Sequence, residues 1–398
     1  MSKNRIEHIR NDAKDLLEDE DIWHIIDNEL SLRIREDPSA RQATFAVMLT
    51  AFQPKPAHLM LLGESAVGKS WLLSNAIEFI PEENRALLGS STGRAWFYCG
   101  EPVMRDHPLI PNKKIIDYYK VDWQSKVVGI LDNVTPRTIE DLKPIMSHDK
   151  PEIDLQTVER SAGGRHRTRR VRVIGCPSFV NCSTWLKWNA EIGSRHFCLT
   201  PKDTPEKYSA AAQLLDEQHT EGTQPTSELT PQIKDAVRTL RDSKFRVVVS
   251  RELIADIKAD FTMKSGKDVR DYERMLTLTE AVGWLHALQR DRTDSGQVIA
   301  DERDLKIVRS FSEDLLRTSR TGTSAQVLDY YEKVLGPLAE QTHKDLAYDE
   351  IQSKYLEVYN RRLHRDIMIL YNRTLQDLGK IELVKDESDK RRWLAKVK

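Results

Sequence analysis

An α/β core, then a helical segment, then a small unit of three helices and a hairpin: that is the fold class predicted by this 398-residue sequence. Three observations predict it. Between residues 57 and 205 short apolar runs alternate with helical patterns, as strands layered against helices do. From about 233 to 317 only helical spacing is found. From 325 onward three helical patterns lead into KIELVKDESDKRRWLAKVK, which alternates on either side of DESD like a two-stranded wing.

The elements are justified in order. IWHIIDNEL and ATFAVMLTAF carry apolar residues at helical spacing, so residues 1–50 read as an N-terminal helical segment. AHLMLL, residues 57–62, suits a buried strand. It runs into GESAVGKS, residues 63–70, which fits G-x-x-x-x-G-K-[ST], and WLLSNAIEFI then suits a helix. Glycines at 63 and 68 let the loop curl so that its N–H groups converge on phosphate oxygens. The helix behind it adds the positive end of its dipole. Lys69 would reach the β- and γ-phosphates and Ser70 would ligate Mg²⁺. The nucleotide contacts are therefore expected from Gly63, Glu64, Ser65, Ala66, Val67, Gly68, Lys69, Ser70 and Trp71, with ATP and Mg²⁺ as the cofactors.

KVVGILDNV, residues 126–134, places Asp132 at a strand's C-terminal end, where a Walker B aspartate holds Mg²⁺. Motor ATPases commonly follow this Asp with Glu, the base for the attacking water. Here Asn133 follows; an amide orients a water but does not take its proton at neutral pH. Glu140 and Asp141 on the next predicted helix are the alternative carboxylates. EIDLQTVER, the turn SAGGRH around Gly163-Gly164, and RTRRVRVIG then read as a β-hairpin. Its turn and return strand carry Arg165, His166, Arg167, Arg169, Arg170 and Arg172, and dense fixed arginine on a ribbon suits phosphate contacts. SFVNCST reads as another buried strand. Its Asn181, or else Ser183 or Thr184, would face the γ-phosphate. Arg195 precedes the apolar strand FCL, where an Arg points into a neighbouring subunit's nucleotide as an arginine finger.

Residues 216–232 and 317–324 read as linkers from their polar, Gly-, Pro- and Thr-containing composition. Trp96, Phe97 and Tyr98 form a strand-like aromatic run assigned to core packing, and His196 and His286 to satisfied core positions. Gly379 ends the third C-terminal helix as a cap. Arg361, Arg362, Arg365 and Arg373 lie on or near that helix, and Lys390, Arg391 and Arg392 lie on the wing.

Composition sets outer bounds. Lys plus Arg number 61 and Asp plus Glu 62, so nucleic-acid binding must come from local patches. The four cysteines form no C-x-x-C pair, which points away from zinc. No signal-like N-terminus and no 18-residue apolar run is present, so a cytoplasmic protein without membrane contact is expected.

These parts in this order resemble the AAA+ ATPases that carry a pre-sensor hairpin, the group of the minichromosome maintenance helicases and viral superfamily 3 helicases. The likeness extends to the helicase part of phage and mobile-element primase-helicases. It rests on GESAVGKSWLL, STGRAWFY, the strand ending LDN, LKPIMSHDKPEIDLQTVER, the Gly-Gly hairpin, SFVNCST and EIGSRHFCLTP, and spans about residues 40–205. The resemblance implies an α/β P-loop AAA+ core (51–205), a helical lid (206–320) and a C-terminal winged-helix domain (321–398). It implies catalytic roles for Lys69, Asp132, Asn133, for Asn181 as sensor 1, for Arg195 as the trans finger and for Arg270, in DVRDYERMLTLTEA, as a sensor-2 arginine. Nucleic-acid contacts are expected from Arg165, His166, Arg167 and Arg169, and from Arg391 and Arg392 on the wing. The expected activity is a DNA helicase or translocase working as a homo-oligomeric ring, a hexamer. The alternative is an ATP-switched replication initiator or helicase loader that grips duplex DNA through the winged helix.

Overall fold

The computed structural model describes residues 13–92, 95–132, 134–146, 150–160, 166–184, 195–222, 228–321, 323–386 and 393–398. After a helical stretch at residues 13–18 come two helices, α1 (Ile22–Ser31) and α2 (Pro38–Leu49). Pro38 opens α2, where its missing N–H costs nothing, and Ala43, Ala46, Val47 and Leu49 are fully buried. The core strand β1 (Leu59–Leu62) leads through the glycine loop into α3 (Lys69–Ala76). Next come β2 (Arg85–Leu88), a helical turn α4 (Ala95–Tyr98), β3 (Glu101–Asp106), β4 (Lys114–Asp122) and β5 (Val127–Ile130). Helix α5 (Pro136–Met146) precedes β6 (Glu152–Arg160), β7 (His166–Ile174), β8 (Ser178–Ser183) and β9 (Phe197–Leu199).

These strands form two sheets. The central one is five-stranded in the order β2-β5-β8-β1-β9, and every neighbouring pair is parallel. Both faces of a parallel sheet must be covered, which is why β1, β5, β8 and β9 are buried at every position. The second sheet is four-stranded in the order β3-β4-β7-β6. Its β6–β7 pair is the expected antiparallel hairpin, in register from Glu152↔Ile174 to Arg160↔His166. The Gly163-Gly164 turn lies outside the described residues. A second hairpin, β3–β4, joins the sheet through parallel β4–β7 pairing, and the sequence reading had not identified it.

The helical part comprises α6 (Pro205–Glu221), α7 (Thr230–Ser243), α8 (Arg251–Ala259), α9 (Gly266–Leu285) and α10 (Glu302–Thr321), with a parallel pair β10 (Val247–Val249) and β11 (Val298–Ala300). A reciprocal capping box at Ser265 and Asp268 starts α9. Two expected linkers are corrected here. Residues 216–221 complete α6, and residues 317–321 complete α10. The polarity of 216–221 belongs to solvent-facing helix surface, whereas in 317–321 Thr318 is buried and Arg317 is paired with Asp329 and Glu332. The strand-like aromatic run is also corrected: Trp96–Tyr98 is helical, though Trp96 and Phe97 are buried as core packing requires.

The chain ends with α11 (Ala325–Tyr330), a π-helical stretch 331–335 joining it to α12 (Gly336–Thr342), α13 (Tyr348–Tyr359), α14 (Arg365–Asp377) and an antiparallel hairpin, β12 (Ile381–Lys385) with β13 (Trp393–Val397). Gly379 takes a left-handed φ of 71° after α14, and the Lys380 N–H bonds back to the Leu375 carbonyl, so the expected glycine cap is present.

Three cores hold these parts. One joins α1, α2 and one sheet face to the helices between 233 and 316; Trp23 packs on Phe311, and Phe52 stacks on Trp284 at 5.0 Å. The second joins the other sheet face to α5 and the hairpin sheet. The third is internal to residues 327–395. No helix among the described residues is long and apolar enough to cross a membrane.

Inside the first core sits a buried charge cluster. Asp304, at 0% exposure, accepts from Arg290 at 2.6 and 2.9 Å and lies 2.9 Å from His286 Nδ1. Burial works against its ionisation, but His286 and Arg290 outweigh burial and hold the carboxyl below its ordinary value. His286 is thus a satisfied core histidine. Asp304→Ala leaves buried Arg290 with only the partly exposed Asp301, 3.3 Å away, and strips His286 of its carboxylate; it is expected to destabilise the fold by about 3 kcal/mol, measured as a shift in the urea unfolding midpoint.

Candidate functional site

The glycine loop joins the C-terminal end of β1 to the N-terminus of α3. Gly63, Ala66 and Gly68 adopt positive φ of 140°, 69° and 86°. Such a sequence of left-handed residues turns successive N–H groups toward one concavity. Lys69 is 7% exposed, and its ammonium donates to the carbonyls of Gly63 at 2.9 Å and Glu64 at 2.6 Å. Burial lowers its pKa. The lysine is therefore held across the loop mouth, over the concavity rather than out in solvent.

A cleft of about 310 Å³ opens beside this loop. Its walls are Ser65, Ala66, Gly68, Lys69, Ser70 and Trp71 on one side and Leu131, Asp132, Cys182, Ser183 and Thr184 on the other. Ser70 Oγ donates to the Leu131 carbonyl at 3.3 Å, which brings the serine hydroxyl beside Asp132. A hydroxyl, a carboxylate and the oxygens of a bound triphosphate are a donor set that suits Mg²⁺. Asn133 lies outside the described residues.

Sheet register assigns the third wall. Strand β8 lies between β1 and β5, so its C-terminal residues stand between the loop and Asp132. Asn181 pairs with Met60 and Ile130, two residues below Asp132. Its side chain is 1% exposed, neither carboxamide atom has a hydrogen-bond partner among the described residues, and it does not line the cleft. Ser183 and Thr184 occupy the level at which Asn181 was expected.

The two trans-acting candidates sit elsewhere. Phe197 is in register with Leu59, at the N-terminal end of β1, and Arg195 precedes it. Gly63 follows Leu59 by four residues, about 13 Å along the strand. Arg195 therefore lies at the sheet end opposite its own glycine loop. Arg270 is exposed on α9; one turn on, Arg274 stacks over Phe197 at 5.3 Å. Arg270 thus flanks the same end as Arg195 and does not line the cleft beside the glycine loop. His196 is fully buried there, as expected of a core histidine.

On the hairpin sheet, Arg165 lies outside the described residues, as do Arg391 and Arg392 on the C-terminal hairpin. Of His166 and Arg167 only the backbone is described. Arg169 is engaged within the sheet. Its guanidinium lies 3.4 Å from the Tyr119 ring centroid and 5.1 Å from that of Tyr98, and it donates to the Tyr98 carbonyl. Asp154 accepts from both Arg170 and Arg172, which hold its carboxyl well below the usual carboxylate range, and Arg172 covers Tyr118. The arginines nearest the core, Arg169, Arg170 and Arg172, brace the base of the hairpin.

A contact between positions far apart in the chain links the C-terminal unit to the glycine loop. The Tyr371 hydroxyl, on α14, donates to the Glu64 carboxylate, and the Glu64 N–H donates to Gln326 Oε1 of α11 at 3.2 Å. Arg361 pairs with Asp203, which also accepts from Gln326 and Tyr208. Burial and the neighbouring carboxylate raise the Tyr371 pKa, so the phenol stays a donor.

No protein-family model matches the chain, and no curated protein matches it in sequence.

Tyr371→Phe removes one hydrogen bond to a charged acceptor, about 1.5–3 kcal/mol of local stability. Amide exchange over residues 63–66 and 200–208 is expected to quicken while the circular dichroism spectrum stays unchanged.

Proposed function

We propose that this chain is an ATP-driven DNA translocase or helicase of the AAA+ type with a pre-sensor hairpin, acting as a homo-oligomeric ring. The helices between 205 and 321 serve as its lid, and the C-terminal unit is a winged helix. The observation that carries this reading is the split of chemistry across the central sheet. The phosphate loop, Asp132, Ser183 and Thr184 stand at one end, and Arg195 with Arg270 stand at the other. A second copy stacked beside the first completes the site.

Lys69 neutralises charge on the β- and γ-phosphates, and Ser70 with Asp132 holds Mg²⁺, which draws negative charge off the transferred phosphoryl group. Ser183 or Thr184 positions the attacking water. Arg195 of the adjoining copy supplies positive charge where the γ-phosphate leaves. Asn133 in place of Glu lowers the rate of proton removal, so slow intrinsic turnover is expected. The arginine–tyrosine and arginine–aspartate contacts at the base of β6–β7 make the hairpin a stiff lever. Rotation at the seam then moves its tip and the strand it holds.

An initiator that reads duplex DNA through α14 ranks second. The outward residues of that helix are Arg365, Asp366, Ile369, Leu370, Arg373, Gln376 and Asp377. Two positive and two negative charges around an exposed aliphatic pair support a protein contact better than a phosphate backbone.

The test is ATP turnover with and without single-stranded DNA, together with unwinding of a forked duplex. The native chain is expected to show DNA-stimulated turnover and unwinding, and Arg167→Ala to lose the stimulation while keeping basal turnover. Turnover indifferent to nucleic acid would remove the motor reading.

A further inference from the structure

Helix α14 has two distinct faces. Met368, Tyr371 and Leu375 are buried in the C-terminal core. The exposed residues between Arg365 and Asp377 fall on a single arc of about 140° around the helix axis. At the middle of that arc two aliphatic neighbours, Ile369 and Leu370, are 40% and 45% exposed. Asp366 stands three residues before this pair and Arg373 three residues after it. Seven residues is about two helical turns, so Asp366 and Arg373 lie on one stripe with the aliphatic pair midway between them.

Neither charge is committed to holding the fold. The Asp366 side chain is 83% exposed, and its nearest charged neighbour is the equally open His364 at 3.7 Å. The Arg373 side chain makes no hydrogen bond or ion pair among the described residues. An anion and a cation placed symmetrically about an apolar centre make this surface complementary to itself. When the same face of another copy is laid on it antiparallel, each Asp366 comes level with the Arg373 of the other copy, and the aliphatic pairs cover each other. A parallel pairing would set Arg373 against Arg373. Duplex DNA suits the face less well, because Asp366 stands in the first turn, the end by which such a helix enters the major groove, and repels phosphate.

We infer that the outer face of α14 docks on the same face of a second copy of this chain, antiparallel, about a two-fold axis at Ile369–Leu370. One helix face is smaller than the roughly 1,000 Å² that a stable interface buries, so a single contact of this kind is weak. It gains strength where several copies are already held together, because each further pair then forms within one assembly. The inference is independent of the nucleotide cleft, and its failure leaves the motor reading as it stands.

The experiment is sedimentation velocity on the full chain over a concentration series, with EDTA and without nucleotide, so that no bound ATP joins copies at the seam. The samples are the native chain, Asp366→Arg, Arg373→Asp and an equal mixture of the two variants. Both positions are exposed, so neither substitution disturbs a core. The native chain should pass from monomer to dimer as concentration rises. Each variant alone sets like charges face to face on both sides of the axis and should dimerise about tenfold more weakly. The mixture should dimerise as the native chain does, because the new arginine of one variant meets the new aspartate of the other and the native pair across the axis is intact. Variants that associate as strongly as the native chain, or a mixture no better than its components, overturn the inference. A native chain that stays monomeric overturns it too, and short duplex DNA bound by that chain but not by Arg373→Asp would then assign the helix to the major groove.

Discussion

The direction of five strands sets everything else in this molecule. Because β2, β5, β8, β1 and β9 all run the same way, their C-terminal ends gather on one edge of the sheet and their N-terminal ends on the other. Loops that follow strands share one edge, and loops that precede strands share the opposite edge. The glycine loop follows β1, Asp132 follows β5 and Thr184 follows β8, so three chemically different groups converge on one cleft. Arg195 precedes β9 and is carried to the far edge by the same rule. No side-chain rearrangement within one copy removes that separation.

Packing gathers the elements around this sheet into three separate cores. The N-terminal helices and the helices between 233 and 316 share one core with a sheet face and form a single body. The hairpin sheet is fixed to the opposite face through Val121, Val171 and Val173. Its outer contacts are arginine with tyrosine and aspartate, which stiffen a ribbon without adding an apolar core. The C-terminal unit has its own core and meets the rest partly through hydrogen bonds and ion pairs at Glu64, Thr200 and Asp203. One member of that contact, Glu64, belongs to the glycine loop, so the loop and the C-terminal unit share hydrogen bonds directly.

Much of this was legible in the sequence where the chemistry is local. The glycine loop, Asp132, the β6–β7 hairpin and the Gly379 cap each depend on residues close along the chain. Elements whose polarity has another cause were misread. Residues 216–221 look like a linker because they lie on solvent-facing helix surface, and 317–321 because polar side chains there are spent on hydrogen bonds, Arg317 with Asp329 and Glu332 and the Thr321 hydroxyl with the Arg317 carbonyl. Strands β3 and β4 escaped notice because their sheet is exposed over much of its surface, so EPVMRD and KIIDYYKVD lack a clean alternation. Of the three polar candidates on β8, Ser183 and Thr184 line the cleft while Asn181 stands level with Met60 and Ile130, a difference in depth that only the sheet register reveals. The bond from Tyr371 to Glu64 joins positions 307 residues apart, and no local pattern encodes it.

The claim at the centre is that each active site takes its arginine from another copy. Mixing two inactive variants tests it most directly. Lys69→Ala lacks a working phosphate loop but keeps Arg195; Arg195→Ala lacks the arginine but keeps the loop. Mixed in equal amounts, they should recover a measurable fraction of native ATP turnover, because the arginine of the first variant meets the loop of the second. Turnover that stays at the level of the separate variants at every mixing ratio, with co-assembly verified, would contradict the account.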